Sequence, residues 1–167
     1  MALPFKKRVL IAEDDQEIRN SFTLIVNSSQ KFMVVNAYGN CEDAIANLNR
    51  DKPEIVLMDI ELPGINGIQG TKTIKAKSPH TDIVMVSVYE DSELVFEALK
   101  AGASGYITKS ANYMELLSAL DEIVKGGAIL RQDGQSLRLE NLSHPEIMVS
   151  VISLNPPPLE LDFRKDN

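Results

Sequence analysis

The chain has 167 residues, 44% of them hydrophobic, enough for one ordinary domain and at most a small appendage. Asp and Glu outnumber Lys and Arg by 24 to 17, a net charge of −7, which argues against holding nucleic acid through bulk positive charge. One cysteine, Cys41, excludes an internal disulfide and a multi-cysteine zinc site and points to a reducing compartment. No apolar run approaches the roughly 18 residues a membrane span needs. The basic cluster Lys6-Lys7-Arg8 is followed by only Val9–Ala12 before acids begin, too short for a secretory leader. The expectation is a soluble, cytoplasmic protein with no membrane partner.

Five β-type runs follow one another: Arg8–Ala12, Phe32–Val35, Glu54–Met58, Asp82–Ser87 and Gly105–Thr108. After the first, Ile18, Phe22 and Ile25 repeat at the spacing of one helix face. Ala44, Ile45 and Leu48 keep that period after the second, Leu94, Ala98 and Ala101 after the fourth, and Leu116 to Val124 after the fifth. The inner runs are apolar at nearly every position, as strands buried on both faces are. Alternation of this kind predicts an α/β fold, a doubly wound parallel sheet with helices on each side. Gly126-Gly127 punctuates the last helix, and four of the eight prolines fall within the last 23 residues. One domain is therefore expected over residues 1–128 and a different segment over residues 129–167.

In an open parallel sheet, ligands gather at the carboxyl ends of the strands. Here strand one ends in Glu13-Asp14-Asp15, strand three in Asp59, strand four in Ser87 and strand five in Lys109. Strand two ends in Asn36-Ala37 and offers nothing comparable. Each residue has an ordinary reading: Asp14 or Asp15 as a helix cap, Asp59 as a turn residue, Ser87 as a cap hydroxyl, Lys109 as a solvated lysine. Those readings do not explain why acid, acid, hydroxyl and ammonium stand at corresponding ends of four strands. Gathered carboxylates repel by about 4 kcal/mol per pair at roughly 4 Å and an effective dielectric near 20, a cost that a functional cation removes. Carboxylate oxygens with water suit Mg²⁺. Beside such a cation, a hydroxyl and an ammonium, Asp59 is placed as a nucleophile toward phosphorus, yielding an aspartyl phosphate.

Five motifs carry a resemblance: Val9-Leu-Ile-Ala-Glu-Asp14, Pro53-Glu-Ile-Val-Leu-Met-Asp59, Leu62-Pro-Gly-Ile-Asn-Gly67, Ile83-Val-Met-Val-Ser87 and Ala101-Gly-Ala-Ser-Gly-Tyr-Ile-Thr-Lys109. Over about residues 6–128 the chain resembles the response-regulator receiver domain of two-component signalling, the CheY-like family, in its NarL/FixJ (LuxR-type) branch. The resemblance implies a flavodoxin-like (βα)₅ fold with strand order 2-1-3-4-5. It makes Asp59 the phosphoacceptor, Asp14 a direct ligand of Mg²⁺ or Mn²⁺, and Glu13 a ligand through water. The third protein ligand would be the backbone carbonyl of Glu61, and Asp15 would be a cap. Ser87 matches the switch hydroxyl, Lys109 the phosphate-binding lysine and Tyr106 the switch aromatic, whose ordinary alternative is a core or half-exposed strand tyrosine. Two departures stand out. Ser110 replaces the family's usual proline, whose cis peptide would cost about 3–4 kcal/mol without proline. Glu61 and Tyr89 occupy the positions that tune phosphate lifetime, and their bulk predicts a longer-lived phosphate than in fast chemotaxis regulators.

The resemblance further implies a sensor histidine kinase as donor and a surface, residues 90–125, remodelled when Ser87 and Lys109 engage the phosphate and Tyr106 moves inward. That surface is the fold's fourth helix, fifth strand and fifth helix (α4-β5-α5). The output is expected to be transcriptional, with homodimerisation on phosphorylation and no turnover of an independent substrate. Leu142-Ser-His-Pro-Glu146 resembles the opening of a helix-turn-helix output domain, with Ser143 and Glu146 spaced as a capping box before Ile147–Leu154. Asn155 and three prolines then stop any helix, so direct DNA binding by this chain is not expected. Arg131–Asn141 reads as linker, and residues 129–167 as a whole are expected to be a linker and a truncated or degenerate output segment. Two alternatives are a haloacid-dehalogenase-like phosphohydrolase, which needs a second Asp two residues on where this chain has Glu61, and a non-phosphorylated pseudo-receiver acting as a binding module. His80 and His144 read as surface loop residues and Cys41 as packing.

Overall fold

In a computed structural model of the chain, residues 5–88, 92–125, 129–132 and 135–138 are described. The elements are β1 (Lys7–Ala12), α1 (Gln16–Ser28), β2 (Phe32–Tyr38), α2 (Cys41–Ala46), α3 (Leu48–Asp51), β3 (Ile55–Asp59) and α4 (Gly67–Lys77). There follow β4 (Asp82–Ser87), α5 (Ser92–Lys100), β5 (Gly105–Thr108), α6 (Tyr113–Val124), β6 (Ile129–Gln132) and β7 (Gln135–Arg138). The first five strands are parallel in the order 2-1-3-4-5, the flavodoxin-like arrangement expected from the sequence. Among the described residues no helix is long and apolar enough to cross a membrane. The chain falls into two compact units, Met1–Met85 and Val86–Asn167, divided within β4.

In the first unit β1 is the middle strand, pairing in parallel with β2 on one side and β3 on the other. Val9, Leu10, Ile11, Val56, Met58, Ile83, Val84 and Met85 are wholly buried, which is why these runs carry no alternation. α1 begins where Asp15 accepts the N–H of Ile18 at 3.1 Å, the capping role read from the sequence. β2 runs three residues past the predicted Val35, through Asn36 and Ala37 to Tyr38. Asn36 looked like a strand terminator, but β2 is an edge strand, where a polar residue is tolerated. Its pairing slips by one residue, from Val9↔Val34 to Leu10↔Asn36.

The single helix expected after β2 is broken in two. Asn47 turns its side-chain amide back onto the carbonyl of Asp43 at 2.8 Å, a local bond that competes with helix continuation. α3 then closes on Lys52, a non-glycine residue at φ 44°, whose N–H reaches the carbonyl of Leu48 at 2.8 Å. His80 is exposed in a turn, and Cys41 is fully buried at the start of α2, both as expected.

In the second unit, β5 is buried along its whole length, and α6 opens on a reciprocal cap between Asn112 and Glu115. Residues 129–138, read from the sequence as the beginning of a linker, carry two further strands. β6 pairs in parallel with β5, Gly105 opposite Ile129, and β7 pairs antiparallel with β6, Gln132 opposite Gln135. The missed signal was the Asp133-Gly134 pair between the two strands, a preferred sequence for a two-residue hairpin. The capping-box pair Ser143/Glu146, the apolar run 147–154 and His144 lie outside the described residues.

Candidate functional site

The acidic end of β1 is held mainly through its backbone. The Glu13 N–H donates to the carbonyl of Tyr38 at 2.9 Å, which ties it to the end of β2. Glu13 Oε2 accepts the N–H of Asp15 at 3.0 Å, and Arg19 Nη1 donates to the carbonyls of Glu13 (2.6 Å) and Asp14 (3.3 Å). Glu13 is buried and Asp14 exposed. Tyr38 is itself fixed: its hydroxyl donates to Asp51 Oδ2 at 2.5 Å and accepts from Arg50 Nη2 at 2.9 Å. Burial, and then the hydrogen bond to Asp51, push the Tyr38 phenol above its ordinary pKa.

Asp59, the last residue of β3, is 6% exposed. The chain turns sharply behind it. The Gly67 N–H returns to the carbonyl of Ile60 at 2.8 Å, and a Cβ at position 67 would lie 2.0 Å from the carbonyl oxygen of Asp59. Glycine is therefore required where α4 starts. The Glu61 N–H donates to Asp59 Oδ1 at 3.2 Å, orienting the carboxylate, while the Glu61 side chain is exposed.

One carboxylate oxygen from each of Glu13, Asp14 and Asp59 lies within 4.8 Å of the others. At that distance and an effective dielectric near 20, each ionised pair repels by about 3.5 kcal/mol before screening. An all-oxygen donor set, partly buried and open through Asp14, suits a hard divalent cation that keeps several waters. Asp15, engaged as the α1 cap, stands outside the trio.

The remaining expected residues belong to the second unit. Ser87 ends β4 and is buried, and its carbonyl accepts the N–H of Lys109 at 2.8 Å. Lys109 is partly exposed one residue past β5. Tyr106 is fully buried, so of its ordinary alternatives the half-exposed one is excluded. At Ser110, where the family has proline, the hydroxyl pairs with that of Thr108 at 2.8 Å, and the Ala111 N–H returns to the Thr108 carbonyl at 3.0 Å. Tyr89 lies outside the described residues.

Two residues that support the acidic trio were not singled out from the sequence for that work: Arg19 and Tyr38. Arg19 had a usable signal, an arginine one helical turn past the acids and able to fold back onto their carbonyls. Tyr38 had none, because its backbone does the holding.

Residues 9–121 match the family described as the response regulator receiver domain. The chain is 35% identical over 126 residues to the transcriptional regulatory protein YxjL of Bacillus subtilis, covering 75% of this chain and 58% of that one. It is 32% identical over 120 residues to the oxygen regulatory protein NreC of Staphylococcus haemolyticus, covering 71% and 55% respectively. It therefore spans little more than half the length of these relatives. Among solved structures, it is similar to a LuxR-family two-component response regulator from Aurantimonas sp. SI85-9A1, with TM-score 0.73 and 27% identity over 77% of this chain and 91% of that one. It is also similar to the response regulator domain of Thermotoga maritima CheB, with TM-score 0.62 and 30% identity over 73% and 93%. Neither comparison favours a phosphohydrolase or a binding-only module. With its motifs, strand order and acidic trio in agreement, the chain belongs to the response regulator receiver domain family.

Proposed function

We propose that this chain is a phosphorylation-dependent switch whose Asp59 accepts a phosphoryl group from the phosphohistidine of a sensor histidine kinase. The observation that carries the reading is the acidic trio with Asp59 at its buried end, its carboxylate oriented by the Glu61 amide. Asp14, Asp59 and the Glu61 carbonyl would hold Mg²⁺ (or Mn²⁺), with Glu13 acting through water. That cation supplies charge neutralisation for the phosphoryl oxygens in transfer. An Asp59 carboxylate oxygen forms a bond to phosphorus as the phosphorus–nitrogen bond of the donor breaks, and the imidazole leaves with the electron pair and takes up a proton. Hydrolysis of the resulting acyl phosphate resets the switch, and no separate substrate is turned over.

The added charge of roughly −1.5 to −2 is what the rest of the molecule reads. Ser87 donates its hydroxyl to the phosphoryl oxygens and Lys109 pairs with their charge. Tyr106, whose ring is fully buried, is the switch aromatic of this reading. The surface formed from α5, β5 and α6, the α4-β5-α5 face of the sequence reading, reports the state by a population shift. The output is transcriptional, through a homodimer formed on phosphorylation. The receiver occupies residues 1–128, and the segment 129–167, beginning with the β6–β7 hairpin, stands where relatives carry their output domain. Direct nucleic-acid binding is not assigned to it.

The deciding experiment is incubation with Mg²⁺ and acetyl phosphate, followed by intact mass. A single phosphate on the wild type, absent from Asp59→Asn and from a metal-chelated sample, is the expected result. An unmodified wild type refutes the proposal. Loss of phosphate over time tests the tuning role of Glu61 and Tyr89: the Glu61→Asn/Tyr89→Glu variant is expected to lose it faster.

A further inference from the structure

The loop behind Asp59 is gripped from outside by the first turn of α2, and we infer that Glu42 on that turn is a positioning residue for the acidic site. Its carboxylate fixes the loop backbone at Ile65, and the loop in turn presents the Glu61 amide that orients the Asp59 carboxylate. The inference rests on the receiver reading above and deepens it.

Glu42 Oε2 accepts the N–H of Ile65 at 3.1 Å. The approach depends on Gly64, which sits at φ +76° and where an added Cβ would fall 2.0 Å from that same oxygen. The adjacent Cys41 points its Sγ at the carbonyl of Asn66, 3.6 Å away. Two consecutive residues of the helix thus touch three consecutive residues of the loop. At its near end the loop is closed by the Gly67 N–H on the Ile60 carbonyl, and inside that closure lies the 3.2 Å bond from the Glu61 N–H to Asp59 Oδ1. With the near end fixed by Gly67, and with Asn66 held through its N–H by Gln69 Oε1 at 3.1 Å, the Glu42 contact is the one that restrains the outer limb at Ile65.

An acid in a first helical turn has an ordinary use, favourable interaction with the helix amino terminus. That use accounts for a carboxylate at position 42. It does not account for a left-handed glycine at 64 shaped around its oxygen. The two explanations separate by chemistry, because the helix-end role needs the charge whereas the loop clamp needs only an acceptor oxygen. Glu42→Gln keeps the acceptor and loses the charge; Glu42→Ala loses both.

The test begins with the metal-free protein, by amide hydrogen exchange. Ile65 protection should fall about tenfold in Glu42→Ala, with Glu61 protection falling alongside it, while Glu42→Gln stays within about twofold of wild type. Titration with MgCl₂ should then show several-fold weaker binding for Glu42→Ala and near-normal binding for Glu42→Gln. Unchanged Glu61 protection together with unchanged Mg²⁺ affinity in Glu42→Ala overturns the inference. So does a Glu42→Gln variant as impaired as Glu42→Ala, which would assign the effect to charge. A wild type that binds no Mg²⁺ and takes no phosphate overturns the receiver reading instead, and the exchange data then judge the clamp alone.

Discussion

Arg19 and Glu13 are joined side chain to backbone: the guanidinium Nη1 donates to the Glu13 carbonyl at 2.6 Å and reaches the Asp14 carbonyl at 3.3 Å. A cation placed this way does two things. It fixes the backbone that aims two of the three carboxylates, and its charge offsets part of their mutual repulsion without occupying the carboxylate oxygens. Those oxygens stay available to a divalent ion.

Arg19→Met should therefore destabilise the metal-free protein by about 1–2 kcal/mol, the range for a partly exposed charge-assisted hydrogen bond. Millimolar Mg²⁺ should restore part of that loss, because an ion bound only to the folded state stabilises it. Urea unfolding with and without MgCl₂ measures both. Equal midpoints for variant and wild type in both buffers would remove the guanidinium from this role.

Burial drives the Cys41 thiol up to about 12, with the charges of Glu42 and Asp59 adding to the effect. Only the thiolate reacts, so at pH 8 alkylation by iodoacetamide should be about a thousandfold slower in the folded than in the unfolded protein. The same shift has a sign for stability. Between the ordinary thiol value of 9.0 and about 12 the unfolded chain has released this proton and the folded chain still holds it. Stability from this group is complete below pH 9 and is lost as pH rises toward 12. Rapid alkylation of native protein at pH 8 would contradict the burial.

Gly70 lies in α4 against Cys41, and a Cβ there would sit 2.5 Å from the thiol sulfur. Gly70→Ala gains about 0.5–1 kcal/mol of helix propensity but overpacks a buried contact, which typically costs about 1–3 kcal/mol. The net expectation is a less stable protein. In a Cys41→Ala background the sulfur is gone and the same substitution should become neutral or stabilising. A double-mutant cycle by thermal unfolding reads the coupling; additive effects would show that sulfur and glycine do not share the space.

Much of this architecture was legible in the chain itself. Apolar runs such as Val9–Ala12 and Ile83–Val86 announce strands covered on both faces, and the acids and hydroxyl that end them are fixed by covalent order. Asp15 as a cap and Cys41 as packing were also readable, each from its place at a helix start. The break at Asn47 was hidden, because one side-chain amide folding onto Asp43 leaves no periodic trace. The extra length of β2 was hidden because edge strands accept residues like Asn36 that elsewhere end a strand. The supports of the acidic trio were least visible. Tyr38 acts through a carbonyl that every residue has, and Glu42 acts through a loop more than twenty positions away in sequence.

The hairpin of β6 and β7 changes which backbone meets solvent in the second unit. With Ile129 opposite Gly105, the outer N–H and C=O groups of β5 are already engaged, and among the described residues β7 is the outermost strand on that side. A version trimmed at residue 128 would uncover a fully buried strand along its hydrogen-bonding side, the circumstance in which chains pair edge to edge and precipitate. Anyone shortening this protein for study should keep residues through 138, or expect insolubility that says nothing about signalling.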